Sequence, residues 1–155
     1  ALHALQRAQG RGRAIPWHHP RESLAEVLAV LGEDARVWLA RHRGRVVAGA
    51  LVLANRGADS HAWVTGASEE ARPLHAFTLL MHEAIADAAR GGQQAWDFGA
   101  SADDPRVEFF KRAFGGGPQE TLRFFYEAAW VAPARRRLLP SGGASTLRRL
   151  WIGRP

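Results

Sequence analysis

Apolar positions along the chain fall into blocks whose spacing switches between helical and extended. Leu24, Val27, Leu28 and Leu31 recur at i, i+3, i+4 and i+7, which predicts an amphipathic helix over residues 21–31 that Gly32 ends. Residues 36–42 and 45–55 are instead dense in Val, Leu and Trp, and the Arg43-Gly44 step between them predicts an antiparallel hairpin. After a turn at Arg56-Gly57-Ala58-Asp59, residues 61–65 read as a third strand that closes on Gly66-Ala67-Ser68. Pro73 suits a first helical turn, and Leu74, Phe77, Met81, Ala84, Ile85 and Ala88 then trace one apolar face as far as Gly91-Gly92. A short strand follows over 94–98. Asp104-Pro105 offers an N-cap with proline at N1, and a short helix over 106–114 stops at Gly115-Gly116-Gly117. Residues 121–130 predict a last strand.

This order predicts an α/β (α+β) layered domain: a mixed central sheet with an antiparallel meander, a long central helix and a short helix. Trp38, Trp63, Trp96, Phe124 and Phe125 fall on strands and are expected in the core rather than as stacking platforms for bases. Residues 1–132 form the expected domain. Beyond them the composition changes to Arg135-Arg136-Arg137, a Pro140-Ser141-Gly142-Gly143 stretch and a segment over 145–152. There Leu147, Leu150 and Trp151 suggest a docking helix, with a disordered tail as the alternative.

A length of 155 residues suits one core. The absence of cysteine removes disulfides, thiolate metal sites and thiol nucleophiles together. No apolar run is long enough to span a bilayer and no secretory leader opens the chain, so a cytoplasmic location is expected. The chain opens on Ala1 and is expected to be a domain of a longer protein, with a processed chain as the alternative.

Charge is unevenly divided. Residues 1–45 hold eight arginines against four acids, leaving +4; residues 46–130 hold seven bases against eleven acids, leaving −4. Residues 131–155 hold six arginines and no acid, so the tail alone matches the overall +6. Such a tail can contact RNA phosphates or an acidic membrane surface, or serve as a solubilising extension. Lys111 is the one lysine among 21 basic residues. A compact ammonium does what a guanidinium fork cannot, which makes Lys111 a candidate for chemistry.

Three segments resemble one family. Gly66-Ala67-Ser68-Glu69-Glu70-Ala71-Arg72 is similar to the GASS-x-x-x-R turn of Fem-type aminoacyltransferases, Ala95-Trp96-Asp97-Phe98-Gly99 to their YDFGG strand end, and Phe110-Lys111-Arg112-Ala113-Phe114-Gly115 to their FK-x-x-FG motif. The stretch Arg11 to Arg13 resembles the arginine-bearing segment ahead of their first helix. The resemblance implies the GNAT acyltransferase fold, of which this chain would be the C-terminal half. A second GNAT-like domain would then be its partner. It implies transfer of an amino acid from aminoacyl-tRNA to an amine of a peptidoglycan precursor. A related branch found with exopolysaccharide genes implies an acyl-CoA dependent N-acetyltransferase instead. The third reading is a non-catalytic half-module that binds RNA or a partner domain.

The candidate catalytic residues are Lys111 and Asp97. Lys111 would stabilise the tetrahedral intermediate or hold a donor phosphate, with an exposed helix lysine as the alternative. Asp97 would orient the amine or take its proton, with capping of the Gly99-Ala100-Ser101 turn as the alternative. Arg72 is a candidate phosphate clamp, or a surface partner of Glu69 or Glu70. By their motifs, Ser68, Phe110 and Arg13 complete the expected substrate-binding set. No bound cofactor and no metal are expected, since the seven histidines, His18-His19 included, lack ligand spacing. The expected donor is aminoacyl-tRNA. Acetyl-CoA ranks second because the glycine-rich Q/R-x-x-G-x-G/A loop is replaced by a stretch bearing Glu69 and Glu70, expected at the central helix N-terminus, where they would repel a pyrophosphate. Tyr126, the one tyrosine, lies in the last predicted strand and is expected to pack there rather than act as an acid.

Overall fold

The computed structural model describes residues 1–10, 19–101, 104–120 and 149–153. The hairpin forms as its pattern predicts: β1 (Ala35–His42) pairs antiparallel with β2 (Arg45–Ala54), which pairs antiparallel with β3 (Asp59–Ala67). β3 runs two residues further at each end than the 61–65 pattern suggests. β4 (Ala95–Ala100) lies parallel to β3. The sheet is completed by β5 (Gly117–Glu120) and β6 (Arg149–Gly153), in the order β1-β2-β3-β4-β6-β5.

Helices cover both faces. α1 (Leu2–Gly10) and α2 (Arg21–Leu31) lie on one side, where Leu2 and Leu24 bury against Leu51 and Val64. α3 (Ala76–Arg90) fills the other, where Leu80, Met81 and Ala84 meet Val47, Ala50, Trp96 and Phe98. Phe110 and Phe114, from α4 (Pro105–Ala113) and the residue that ends it, pack beside them. β2 therefore runs between two helical layers, and its residues from Val47 to Val52 are all buried. Trp96 is core; Trp38 and Trp63 pack at its margins.

Three expectations are corrected. The central helix begins at Ala76 rather than Pro73. His75 takes a left-handed conformation at φ 49°, so Pro73 and Leu74 stay in a turn and Leu74 is exposed. The short helix ends at Ala113, and Gly117 already belongs to β5, upstream of the predicted last strand. Of the docking helix expected over 145–152, the described part is a strand instead: Arg149–Gly153 is bonded to β4 on one side and β5 on the other. Helical spacing at Leu147, Leu150 and Trp151 competes there with the extended preference of the Leu150-Trp151-Ile152 run. Two rows of backbone partners decide for the strand. Helix α1 was not predicted, because its apolar signal is only Leu2 and Leu5 over barely two turns. Arg13, the predicted strand over 121–130 with Phe124, Phe125 and Tyr126, and Arg135 to Arg137 lie outside the described residues.

What seats α1 is a gap in the sheet surface. Gly49 and Gly66 are register partners across β2 and β3. A Cβ on Gly66 would lie 2.9 Å from Leu5 Cβ and 3.1 Å from Gln6 N; one on Gly49 would lie 3.2 Å from Leu2 Cδ1. The helix backbone thus rests directly on the strand backbone. Gly66→Ala is expected to push α1 off the sheet and cost about 1–3 kcal/mol in chemical denaturation. An unchanged midpoint would show that α1 does not pack there.

Candidate functional site

The parallel junction between β3 and β4 is short. It consists of Asp59↔Ala95, Ser60↔Trp96 and His61↔Asp97. Beyond it β3 continues to Ala67 and β4 to Ala100 without pairing to each other, so the two strands part like a wedge toward their C-terminal ends. Open α/β sheets bind ligands at such a parting. Here it forms a cleft of about 940 Å³. Thr65, Ala67 and Ser68 line it from the β3 side, Phe98 and Ala100 from β4. Phe77 and Met81 of α3 and Phe110 and Lys111 of α4 close its flank, and Gln6 of α1 reaches in from the other layer. Phe110 is fixed between Phe77 and Phe114, at ring separations of 5.6 and 5.1 Å.

Lys111 is not an exposed helix lysine. It is 3% exposed, and its Nζ donates to the Gly99 carbonyl at 2.6 Å and to Ser101 Oγ at 3.1 Å. Two of its three protons are thereby engaged. Burial pulls the ammonium down from its ordinary 10.5 to about 8, against the opposing influence of Asp97 and Glu108.

Asp97 lies within β4 rather than at its end. Its Oδ1 accepts from the Gly99 N–H at 2.6 Å, so it caps the irregularity at Gly99 within β4, and its Oδ2 stands 2.7 Å from His61 Nδ1 on β3. Burial pushes this carboxyl up, but the hydrogen bonds from His61 and Gly99 and the charges of His61 and Lys111 outweigh it. Asp97 titrates below its ordinary range. One residue, Gly99 at φ 71°, thus donates its N–H to Asp97 and accepts at its carbonyl from Lys111. That backbone conformation favours glycine.

Arg72 follows the 3-10 turn Glu69–Ala71, lines the cleft and is exposed, with no ion-pair partner among the described residues. Its expected alternative partner Glu70 instead faces Arg45 at 3.6 Å. Both glutamates belong to the 3-10 turn, and the first turn of α3 contains no acid. The expected repulsion of a pyrophosphate from that helix end is corrected accordingly. Only Glu69 reaches the cleft, and no side chain caps α3, whose His75, Phe77 and Thr78 line it. Ser68 Oγ and Gln6 Oε1 are buried at the cleft without a hydrogen-bond partner among the described residues.

Of the predicted site residues, Lys111, Phe110, Arg72 and Ser68 therefore share one cleft; Asp97, like His61, does not line it but belongs to the last register pair before the strands part, and Arg13 is outside the described residues. Sequence reasoning missed His61 and Gln6. Among the described residues, no three His, Asp or Glu side chains gather as metal ligands, and no helix is long and apolar enough to cross a membrane.

The family model of the acetyltransferase (GNAT) domain matches residues 1–112. The chain belongs to the GNAT acetyltransferase family. Solved GNAT structures share its fold. A ribosomal-protein-alanine N-acetyltransferase from Brucella melitensis is 16% identical, with 99% of this chain and 92% of that one covered at a TM-score of 0.68. The ribosomal-protein-S18-alanine N-acetyltransferase from Escherichia coli is 14% identical over 96% and 81%, at 0.63. A GNAT family acetyltransferase from Elizabethkingia anophelis, solved with acetyl-CoA bound, is 9% identical over 84% and 82%, at 0.54. No curated protein matches the sequence.

The depressed Lys111 value has a signed consequence. Between about pH 8 and 10.5 the unfolded chain holds this proton and the folded chain does not, so stability rises with pH across that window. Below about pH 8 the folded chain bears the full cost of the buried charge. The unfolding free energy of the wild type, minus that of Lys111→Met, should climb from pH 8 to 10; a flat difference would contradict a buried ammonium.

Proposed function

We propose that this GNAT domain is an N-acyltransferase that draws its acyl group from an acyl-CoA thioester. The observation that carries this reading is the cleft opened where β3 and β4 part, with an uncapped helix terminus and the unpaired Arg72 at its rim. An extended thioester arm fits between separated strands, whose unpaired backbone groups can bond its amides. Its phosphates suit the α3 N-terminus and Arg72. The acetyl-CoA bound to the Elizabethkingia neighbour adds support from the fold.

Lys111 acts at the leaving group. As the amine nitrogen bonds the thioester carbon and the C–S bond breaks, the sulfur takes the electron pair. Lys111 supplies it with a proton and is reprotonated from solvent. An ammonium near 8 is well matched to a thiol, whose ordinary value is about 8.5. Even without proton transfer, its charge favours the anion that develops in the cleft.

Transfer from aminoacyl-tRNA is the second reading. It is favoured by the way Ser68, Arg72, Phe98, Phe110 and Lys111, which lie in the three Fem-like segments, gather around one cleft. For either donor the acceptors to test first are those the resemblance implies, a peptidoglycan-precursor amine and an exopolysaccharide amino sugar.

The deciding assay offers acetyl-CoA and charged tRNA in parallel and follows thiol release and acylated amine. The expected outcome is transfer from acetyl-CoA that falls about 10²-fold or more in Lys111→Met, with the donor KM nearly unchanged. Transfer from charged tRNA alone would overturn the proposal in favour of the second reading.

A further inference from the structure

We propose that His61 is the general base of the transfer, taking the acceptor's proton on Nε2 while Asp97 holds the ring through Nδ1. The inference rests on the transferase reading above, but concerns the acceptor and is independent of the donor.

His61 and Asp97 are the last register pair of the parallel junction, so they stand where the cleft begins. Ala62 and Phe98, the residues that follow them, line it. Trp96 and Phe98 point into the α3 core, which turns Asp97 to the sheet face that carries α1 and α2. Ser60 is buried and Ala62 joins the α3 core, which turns His61 the same way. The base thus faces the layer opposite the one that supplies Lys111. An amine entering on the α1 side would meet it there.

Asp97 itself is poorly suited to accept the proton. One of its oxygens accepts from Gly99 N–H, and the other stands 2.7 Å from His61 Nδ1, at ion-pair distance, although the ring N–H is not aligned on it as a hydrogen bond. That proximity suits it to orient an imidazole: a small turn of the ring aligns Nδ1–H on the carboxylate, which then fixes this tautomer and leaves the Nε2 lone pair outward. His61 is about one-third exposed, and its Nε2 has no partner among the described residues. Gly99 lies beside the ring, where a Cβ would stand 3.4 Å from His61 Cε1, in ordinary contact.

The steps balance. The amine nitrogen bonds the thioester carbon, one of its protons passes to His61 Nε2 directly or through one water, and the C–S bond breaks with its electron pair going to sulfur. Lys111 returns a proton to the thiolate, giving an amide and a free thiol. His61 then loses its proton to solvent.

His61→Asn is the primary test, because its amide nitrogen stands at the Nδ1 position and keeps the bond to Asp97 while offering no base. With acetyl-CoA and a panel of primary amines, it should melt like the wild type and bind acetyl-CoA equally well. Its kcat should fall about 10²- to 10⁴-fold. His61→Ala should lose as much and recover part of it with added imidazole. That recovery should vanish when Asp97→Asn is added, which identifies Asp97 as a positioning residue rather than a brace between strands. A kcat within threefold of wild type in His61→Asn, or no recovery with imidazole in a folded His61→Ala, would overturn the assignment. If the wild type is idle with acetyl-CoA but active with charged tRNA, the proposed donor fails alone and the same losses are expected with tRNA. Inactivity with both donors overturns the dyad as well.

Discussion

A lysine ammonium shut away from water must be compensated where it stands, and in this domain the compensation comes from the backbone of Gly99 and the hydroxyl of Ser101. No acid makes a direct ion pair with Lys111 among the described residues; Asp97 acts on it from farther off. The arrangement ties α4 to the turn after β4, and therefore fixes how far the end of β4 swings from β3. Because Gly99 also donates to Asp97, which meets His61 on β3, a continuous polar chain runs from β3 across β4 to α4. It crosses the sheet at the point where the parallel pairing stops.

The wedge divides the chemistry between two layers. The α3 and α4 side supplies an aromatic flank, the buried ammonium and a helix terminus that suits phosphates. The α1 side supplies a histidine–carboxylate pair and an unpartnered amide carbonyl. A transfer reaction needs two reactants to meet from different directions, and parted strands in a sheet covered on both faces offer that passage without a separate lid.

How much of this could be read from the residues follows from sequence distance. The meander was legible because its strands are neighbours and a two-residue turn joins them. Lys111 was legible by exclusion, as the single lysine among 21 basic residues, although its burial was not, since the pattern of α4 alone would let it face water. Asp97 was singled out but placed at a strand end; the capping alternative holds at Gly99, and its histidine neighbour was not foreseen. His61 had no local signal. Its partner lies across the whole of α3, and only the register of a parallel pair brings the two side chains together. α1 was invisible for another reason: its anchoring depends on the missing side chains of Gly49 and Gly66, and a close approach between backbones leaves little trace in a hydrophobic pattern. The start of α3 was misread because the proline rule ignores a left-handed residue two positions later.

The position of β6 has a consequence for how the chain matures during synthesis. This strand comes from residues 149–153, yet it lies inside the sheet, with β4 on one side and β5 on the other. While these residues are still within the ribosome, β4 and β5 lack, among the described residues, the strand that lies between them. A strand edge short of its partner invites pairing with another nascent chain. The domain therefore closes late, and the contacts that close it span a large sequence distance, which slows folding. A nascent chain that stalled before residue 149 would display nearly every residue of the cleft on a sheet still short of its inner strand.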